Sequence, residues 1–117
     1  MLRTFRSEAF IQYRMFIYNT TFSIEKTALS QWQIWMQKNY FASLEKLAPN
    51  ATYEVWDISV AQLQADSLNI SCQWRCQTPE ELELINKYSA ILLSNLSAEM
   101  GEKSLYFSTI LRKSDLF

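Results

Sequence analysis

Apolar and polar residues alternate along four stretches of the chain, and this period of two is typical of strands with one covered face. The stretches run over about residues 13–24, 52–60, 67–76 and 103–111. The alternation is cleanest in the third stretch, whose apolar side chains all point one way: Leu68, Ile70, Cys72, Trp74 and Cys76. The pattern therefore predicts four strands, with one face of the third covered and the other face polar.

Two other stretches place apolar residues three and four positions apart, which is the spacing of one helix face. The first predicts a helix from about Ala28 to Leu47, with these residues on the buried face: Leu29, Trp32, Met36, Tyr40, Leu44 and Leu47. The second begins at Thr78-Pro79-Glu80-Glu81, where threonine caps, proline suits the first turn and the second glutamate reaches back to the cap. Gly101, the only glycine of the chain, is expected to end this helix.

The order strand, helix, strand, strand, helix, strand predicts an α+β domain of the ferredoxin-like βαββαβ type. Its four-stranded antiparallel sheet would have the strand order 4-1-3-2, with the two helices on one face. We expect residues 13–113 to form this single domain and residues 1–12 to be an N-terminal extension. The second face of the sheet then stays open.

The open sheet face is the candidate site for a ligand or a partner. Alternation within the strands assigns these residues to it: Met15, Ile17, Asn19, Gln73, Arg75, Tyr106 and Arg112. In a binding role, the amides would orient a carbonyl, an arginine would hold an anion and the tyrosine would donate a proton. Ile110 is expected to add apolar area to the same face.

The four tryptophans are expected in two kinds of position. Trp32, Trp56 and Trp74 are predicted to lie in the core. Trp35 lies on one flank of the first helix face, where it would be half exposed. Because a half-exposed tryptophan can anchor a partner, Trp35 is a candidate dimer contact.

The composition limits the chemistry that the chain can perform. It contains no histidine, which excludes a histidine-based catalytic triad and removes the commonest metal ligand. Cys72 and Cys76 share a strand face but would lie about 13 Å apart, which is too far for a disulfide. They are expected to be small buried side chains, and we predict no catalytic residue, no metal site and no cofactor.

Charge and hydropathy argue against two classes of partner. The net charge is −1 without a long run of either sign, so no basic footprint for nucleic acid is visible. No apolar run approaches the ~20 residues that a membrane span needs, and Arg14 interrupts any secretory signal. We therefore expect a cytoplasmic protein that binds neither nucleic acid nor membrane.

Four segments of the chain stand in an order that resembles a known family: "IYNTTFSI", "WQIWM", "SCQW" followed by "TPEELELINKY", and "LYFSTIL". They are similar to the I-Y-N-V-T, E-W-x-x-W-M, V-Q-Y-F and F-R-T-L-L motifs of an uncharacterised family of short bacterial proteins, a domain of unknown function. The resemblance covers about Met15 to Leu111. It implies a ferredoxin-like fold and a dimer, but no activity, because none is established for the family. Members often carry a His-x-Pro late in the first helix; this chain reads "KNYFASL" there, so no role of that histidine is carried over.

The open sheet face suggests three functions. The first is a small non-catalytic interaction module that forms a homodimer through its sheet, either face to face or edge to edge through the second or fourth strand. The alternative is small-molecule binding, or a cofactor-free oxygenase-like protein of the dimeric α/β-barrel type. RNA binding is disfavoured, because the aromatic residues of the central strands are expected on the helix side: Phe16, Tyr18, Phe22 and Trp74.

Overall fold

The computed structural model describes residues 15–59 and 66–117 of the 117-residue chain. The strands in this part of the chain are β1 (Phe16–Glu25), β2 (Thr52–Asp57), β3 (Ser67–Cys76) and β4 (Ser104–Arg112). The helical elements are α1 (Leu29–Trp35), a π-helical segment (Met36–Phe41), α2 (Ala42–Leu47) and α3 (Pro79–Met100). The predicted extension over residues 1–12 lies outside the described residues, so the domain boundaries stay a prediction.

The strands form one antiparallel sheet in the order β2-β3-β1-β4. Read from the opposite edge, this is the predicted order 4-1-3-2. β1 and β3 are therefore the central strands, and β2 and β4 are the two edges. The architecture is α+β and is consistent with a ferredoxin-like fold.

Side chains that point from the sheet toward the helices form the core. Phe22 of β1 meets Trp32 of α1 edge to face, with ring centroids 5.2 Å apart. Trp74 of β3 lies 6.4 Å from the ring of Tyr40. The same buried cluster includes residues of α3: Ile85, Leu93, Leu96 and Met100. Within the described residues, the helical elements therefore cover one face of the sheet, and the other face is open.

The first helical stretch changes from α to π geometry in its middle, at Met36–Phe41. Tyr40, in this segment, is fully buried, and its hydroxyl lies 2.9 Å from Ser89 Oγ of α3. This hydrogen bond joins the first helical stretch to α3 inside the core. An unpaired hydroxyl there would lower the stability of the fold. Thr27, the predicted N-cap, lies instead in a short 3₁₀ turn, and α1 begins after Ala28 without a side-chain cap.

The boundaries of α3 agree with the signals in the sequence. The Glu81 N–H donates to Thr78 Oγ1 at 3.2 Å, which confirms Thr78 as the N-cap. Glu81 Oε1 in turn accepts from the Gln77 N–H at 2.8 Å, one residue before the expected position. Gly101 ends the helix at a φ of 56°, which favours glycine. Neither α3 nor any other described helix combines the length and apolar character that a bilayer span requires.

Candidate functional site

The open sheet face carries the side chains that alternate with the buried ones. Directly opposed residues of antiparallel strands share a face, so the pairs Ile17–Arg75 and Asn19–Gln73 lie on it together. Arg75 Nη1 lies 3.6 Å from the sulfur of Met15, which places Met15 at the same end. These predicted site residues therefore share one surface, while their role in binding stays a prediction.

The predicted face is wrong for Tyr106, Ile110 and Arg112, which alternate toward the helix side of the sheet. Tyr106 lies opposite Phe22, with ring centroids 6.2 Å apart, and Arg112 lies opposite Phe16. β4 carries apolar residues on both faces, so its alternation does not reveal which face is covered. The open face of β4 consists of Leu105, Phe107, Thr109 and Leu111.

A hydrogen-bonded network of short polar side chains occupies the middle of the open face. Asn19 Nδ2 donates to Thr21 Oγ1 and to Thr109 Oγ1, each at 3.3 Å. Asn19 Oδ1 accepts from Ser71 Oγ at 2.6 Å, and Gln73 Nε2 donates to Ser71 Oγ at 3.4 Å. Because these groups bond one another, the network does not depend on a ligand to satisfy it.

An ion pair joins β3 to the edge strand β2 on the open face. Arg75 Nε donates to Glu54 Oε1 at 2.7 Å, and both side chains are partly exposed. An exposed pair of this kind contributes about 0–1 kcal/mol to stability. Its main effect is to hold the arginine against β2 with its charge balanced.

The predicted positions of two tryptophans are wrong. Trp56 is 51% exposed, whereas Trp35 is only 8% exposed. Trp56 lies opposite Ser71 in the sheet, so it points to the open face rather than to the core. Trp35 belongs to the buried cluster and does not offer an anchor to a partner.

β4 exposes large apolar side chains on both of its faces. On the open face, the exposed fractions are 57% for Leu105, 60% for Phe107 and 46% for Leu111; on the helix side, Ile110 is 50% exposed. Sequence reasoning missed this surface because it assigned the two faces of β4 the wrong way round. The signal that could have found it is the uncharged run from Ser104 to Leu111.

Shallow clefts lie at the two ends of the open face. One, of about 330 Å³, is lined by Thr21, Ser23, Ile58, Asn69, Leu105, Tyr106 and Phe107. The other, of about 320 Å³, is lined mainly by Met15, Ile17, Arg75 and Leu111. Both clefts have mainly apolar walls and suit an apolar side chain or a small apolar molecule.

The two thiols are buried and free, and their predicted burial is confirmed. Burial raises the pKa of Cys72 to about 12. Burial, together with the nearby Glu81 carboxylate, raises the pKa of Cys76 to about 11. Both thiols therefore stay protonated at neutral pH, and a protonated thiol is a weak nucleophile and a poor metal ligand.

Other groups that could carry chemistry are few in the described part of the chain. Burial raises the pKa of the Tyr40 phenol well above its ordinary value, and this hydroxyl already pairs with Ser89. Within residues 15–59 and 66–117, no cluster of three or more cysteine, aspartate and glutamate side chains is arranged to hold a metal ion.

Solved structures with similar folds include a de novo designed protein, Foldit4, with a TM-score of 0.58 and 9% identity over 86% of this chain and 99% of that one. A NIPSNAP family protein with unknown function from Agrobacterium tumefaciens has a TM-score of 0.55 and 9% identity over 90% of this chain and 93% of that one. A putative aminohydrolase from methicillin-resistant Staphylococcus aureus has a TM-score of 0.51 and 13% identity; the match covers 86% of this chain but 30% of that one. At such identities the likeness shows the fold alone.

Family membership comes from the sequence. No curated protein matches the chain. A family model described as a domain of unknown function, DUF4286, matches residues 15–114. The matched residues include all four strands, the first helical stretch and α3. The match confirms the predicted resemblance to a domain of unknown function. The chain therefore belongs to the DUF4286 family, a domain of unknown function.

Proposed function

We propose that this protein is a small non-catalytic interaction module that forms a homodimer through its sheet. The observation that carries the proposal is the apolar surface of β4, where four large side chains are about half exposed: Leu105, Phe107, Ile110 and Leu111. Contiguous apolar side chains on a surface mark interaction sites, because covering them is favourable. A second copy would cover them, and twofold dimers are the commonest assemblies of identical chains.

The polar network at the centre of the open face supports an interaction role over catalysis. The side chains of Asn19, Ser71 and Gln73 bond within the network. A ligand site instead needs polar groups that converge on the ligand. The hydrogen-bonding groups of the network are satisfied by one another. Such a network is suited to holding the strands together rather than to binding a ligand.

The state of the reactive side chains supports the same proposal. The thiols of Cys72 and Cys76 are buried and protonated at neutral pH. The Tyr40 hydroxyl is paired inside the core, and the Arg75 charge is balanced by Glu54. Each of these groups already has a structural partner or a buried position, which suits an assembly module.

Small-molecule binding, including an oxygenase-like function, is the second candidate, and the cleft beside Phe107 favours it. Its walls combine polar Thr21, Ser23 and Asn69 with apolar Ile58 and Phe107. A small apolar molecule with one polar group would fit such a cleft. The melting temperature measured with and without small aromatic ketones tests this candidate. A rise for the wild type but not for Phe107→Ala would favour it. No rise in either protein would exclude binding of this class of molecule.

Sedimentation equilibrium from micromolar to near-millimolar concentration tests the proposed homodimer. We expect the wild type to be a dimer, and Phe107→Glu to shift it strongly toward monomer because the charge replaces an exposed ring of the sheet. Ala90→Glu adds the same charge at an exposed position of α3 and should leave the dimer intact. A wild type that stays monomeric over the whole range would overturn the proposal.

A further inference from the structure

The outer side of β4 is a free strand edge. Within the described residues, β4 pairs with β1 alone and lies at the end of the sheet. A strand in this position presents a row of backbone N–H and C=O groups that another strand can pair with. The backbone of β4 therefore offers hydrogen bonds in addition to its exposed apolar side chains.

The sequence of β4 lacks the features that usually protect such an edge. From Ser104 to Leu111 the strand contains no charged residue, no proline and no glycine. Natural edge strands are commonly blocked by lysine, proline, a bulge or short length. β4 is nine residues long and its pairing with β1 runs without interruption from Ser104 to Arg112. An unprotected edge of this length is suited to receive another strand.

We infer that β4 pairs antiparallel with β4 of a second copy, around a twofold axis at Ser108. This inference rests on the proposed homodimer and specifies which part of the sheet forms it. The two sheets would join edge to edge into one continuous eight-stranded sheet, with the helices of both copies on the same side.

The register around Ser108 matches apolar with apolar residues on both faces of the joined sheet. On the open face, Leu105 of each chain lies opposite Leu111 of the other, and Phe107 of each chain lies opposite Thr109 of the other. On the helix side, Tyr106 of each chain lies opposite Ile110 of the other. Since directly opposed side chains interact across an antiparallel pair, this register covers the exposed side chains of both copies.

Neighbouring registers match less well. An axis at Phe107 would place Leu105 opposite Thr109 and would pair Ile110 with the buried Ser104. An axis at Thr109 would pair Phe107 with Leu111, but it would place Leu105 opposite the charged Lys113. The Ser108 register also leaves one apolar residue, Phe107, opposite a polar one, but it joins apolar residues in two other kinds of pair, whereas each alternative joins them in only one.

The ends of the paired strands are compatible with the same register. Arg112 lies opposite Ser104, so no like charges oppose each other within the strand. Lys103 and Lys113 would face each other just beyond it, where both are exposed and Glu102 is adjacent. The charges thus flank the pairing rather than enter it.

The helical layer leaves room for the second strand. Ile110 lies on the helix side of the sheet yet remains 50% exposed, so none of the described helices covers it fully. Tyr106 is tilted against Phe22, and its ring is only partly buried. Both side chains are therefore available to a partner strand on that face.

A cysteine scan across the axis tests the register, with Phe107→Cys, Ser108→Cys and Thr109→Cys prepared separately. Residue 108 would oppose its own copy with Cα atoms about 5 Å apart, within disulfide range. Residues 107 and 109 would be offset along the strand by roughly 7–8 Å, beyond that range. The native thiols are buried, so they do not compete in the oxidation.

Under mild oxidation, we expect Ser108→Cys to form a covalent dimer at least about tenfold faster than either neighbour, because only it meets the disulfide geometry. Faster cross-linking at 107 or 109 would overturn the Ser108 register. A wild-type dimer in solution with no cross-link at any of the three positions would overturn pairing through β4 while the proposed homodimer stands. A monomeric wild type would overturn both.

Discussion

The two edge strands of the sheet differ in the features that control strand pairing. β2 is six residues long and includes Glu54 and Asp57. β4 is nine residues long, and its only charged residue is Arg112 at its end. Charges and short length discourage a further strand from joining an edge. Among the described strands, β2 therefore forms a protected edge and β4 an unprotected one.

β2 is also held to the rest of the molecule by its side chains. The rings of Tyr53 and Phe41 stack with centroids 4.2 Å apart and planes 12° apart, and Tyr53 lies 4.9 Å from Trp74. Glu54 adds the ion pair with Arg75 on the opposite face. These contacts use the side chains of β2 within the chain itself.

The side-chain contacts of β4 lie toward the neighbouring strand β1. The Thr20 and Ser108 hydroxyls are 2.9 Å apart, and the Tyr106 ring packs on Phe22. Leu111 and Phe107 remain about half exposed. A strand can therefore be fixed firmly in register and still leave most of its apolar surface exposed.

The largest effect on assembly is expected from placing a charge on the β4 edge. In the proposed dimer, Ile110→Lys puts an ammonium opposite Tyr106 in each of two symmetry-related pairs. We expect the dimer dissociation constant to rise at least about tenfold, equal to about 1.4 kcal/mol. Sedimentation equilibrium measures the constant directly.

Val55→Lys is the matched control, because Val55 lies on the helix side of the other edge strand and is similarly exposed. It should leave the dissociation constant within about threefold of the wild type, well under the tenfold step of about 1.4 kcal/mol. Trp56→Lys places the charge on the open face, away from β4. Dissociation by Trp56→Lys but not by Ile110→Lys would indicate a face-to-face dimer instead.

Removing the contacts of β2 is expected to affect folding rather than assembly. Tyr53→Ala deletes the ring that stacks on Phe41 and contacts Trp74. Because the side chain is partly exposed, we expect the free energy of unfolding to fall by about 2 kcal/mol. Urea unfolding at fixed protein concentration measures the loss. Tyr53→Phe keeps the ring and should cost far less; equal losses in both variants would contradict the role of the stack.

Alkaline pH should lower the free energy of unfolding through Cys72, which lies opposite Val55 of β2. Its pKa is about 12 in the folded chain against 9.0 as the ordinary value, so the unfolded chain loses the thiol proton first. The stabilising contribution is complete below about pH 9 and is lost toward pH 12, at up to about 1.4 kcal/mol per pH unit. Urea unfolding in steps above pH 8 should show a shallower decline for Cys72→Ala than for the wild type. Identical pH slopes would contradict this role for the thiol.

The smallest expected effect concerns the ion pair of β2. Glu54→Gln removes the carboxylate charge next to Arg75, and both side chains are exposed enough for water to screen the pair. We expect the free energy of unfolding to change by less than about 1 kcal/mol, and less still at high salt. Urea unfolding at low and high salt checks this. A loss of several kcal/mol would mean that the pair fixes β2 in place.

The fold could be predicted because local signals agreed with the global arrangement. Thr78 and Gly101 occur where a helix begins and ends, and the clean alternation of β3 identifies its buried face. Such signals are local in the sequence, so they do not require knowledge of the neighbouring elements.

The candidate site was harder to predict because it depends on edges and on strand register. β4 is apolar on both faces, so its period of two gives two equally good assignments for Tyr106 and Phe107. Trp56 also alternates correctly in β2 but points to the open face, and Trp35 turns inward. Which face a helix covers is a property of the assembled domain, which a single strand does not encode.

Amide hydrogen exchange at two protein concentrations tests the central claim most directly, because it compares the two edges within one sample. One concentration lies well below the dissociation constant of the dimer and the other well above it. We expect the outward-facing amides of β4, between Ser104 and Arg112, to become more protected at high concentration while those of β2 do not change. Protection that increases in β2, or that stays constant in β4 while the protein sediments as a dimer, would contradict it.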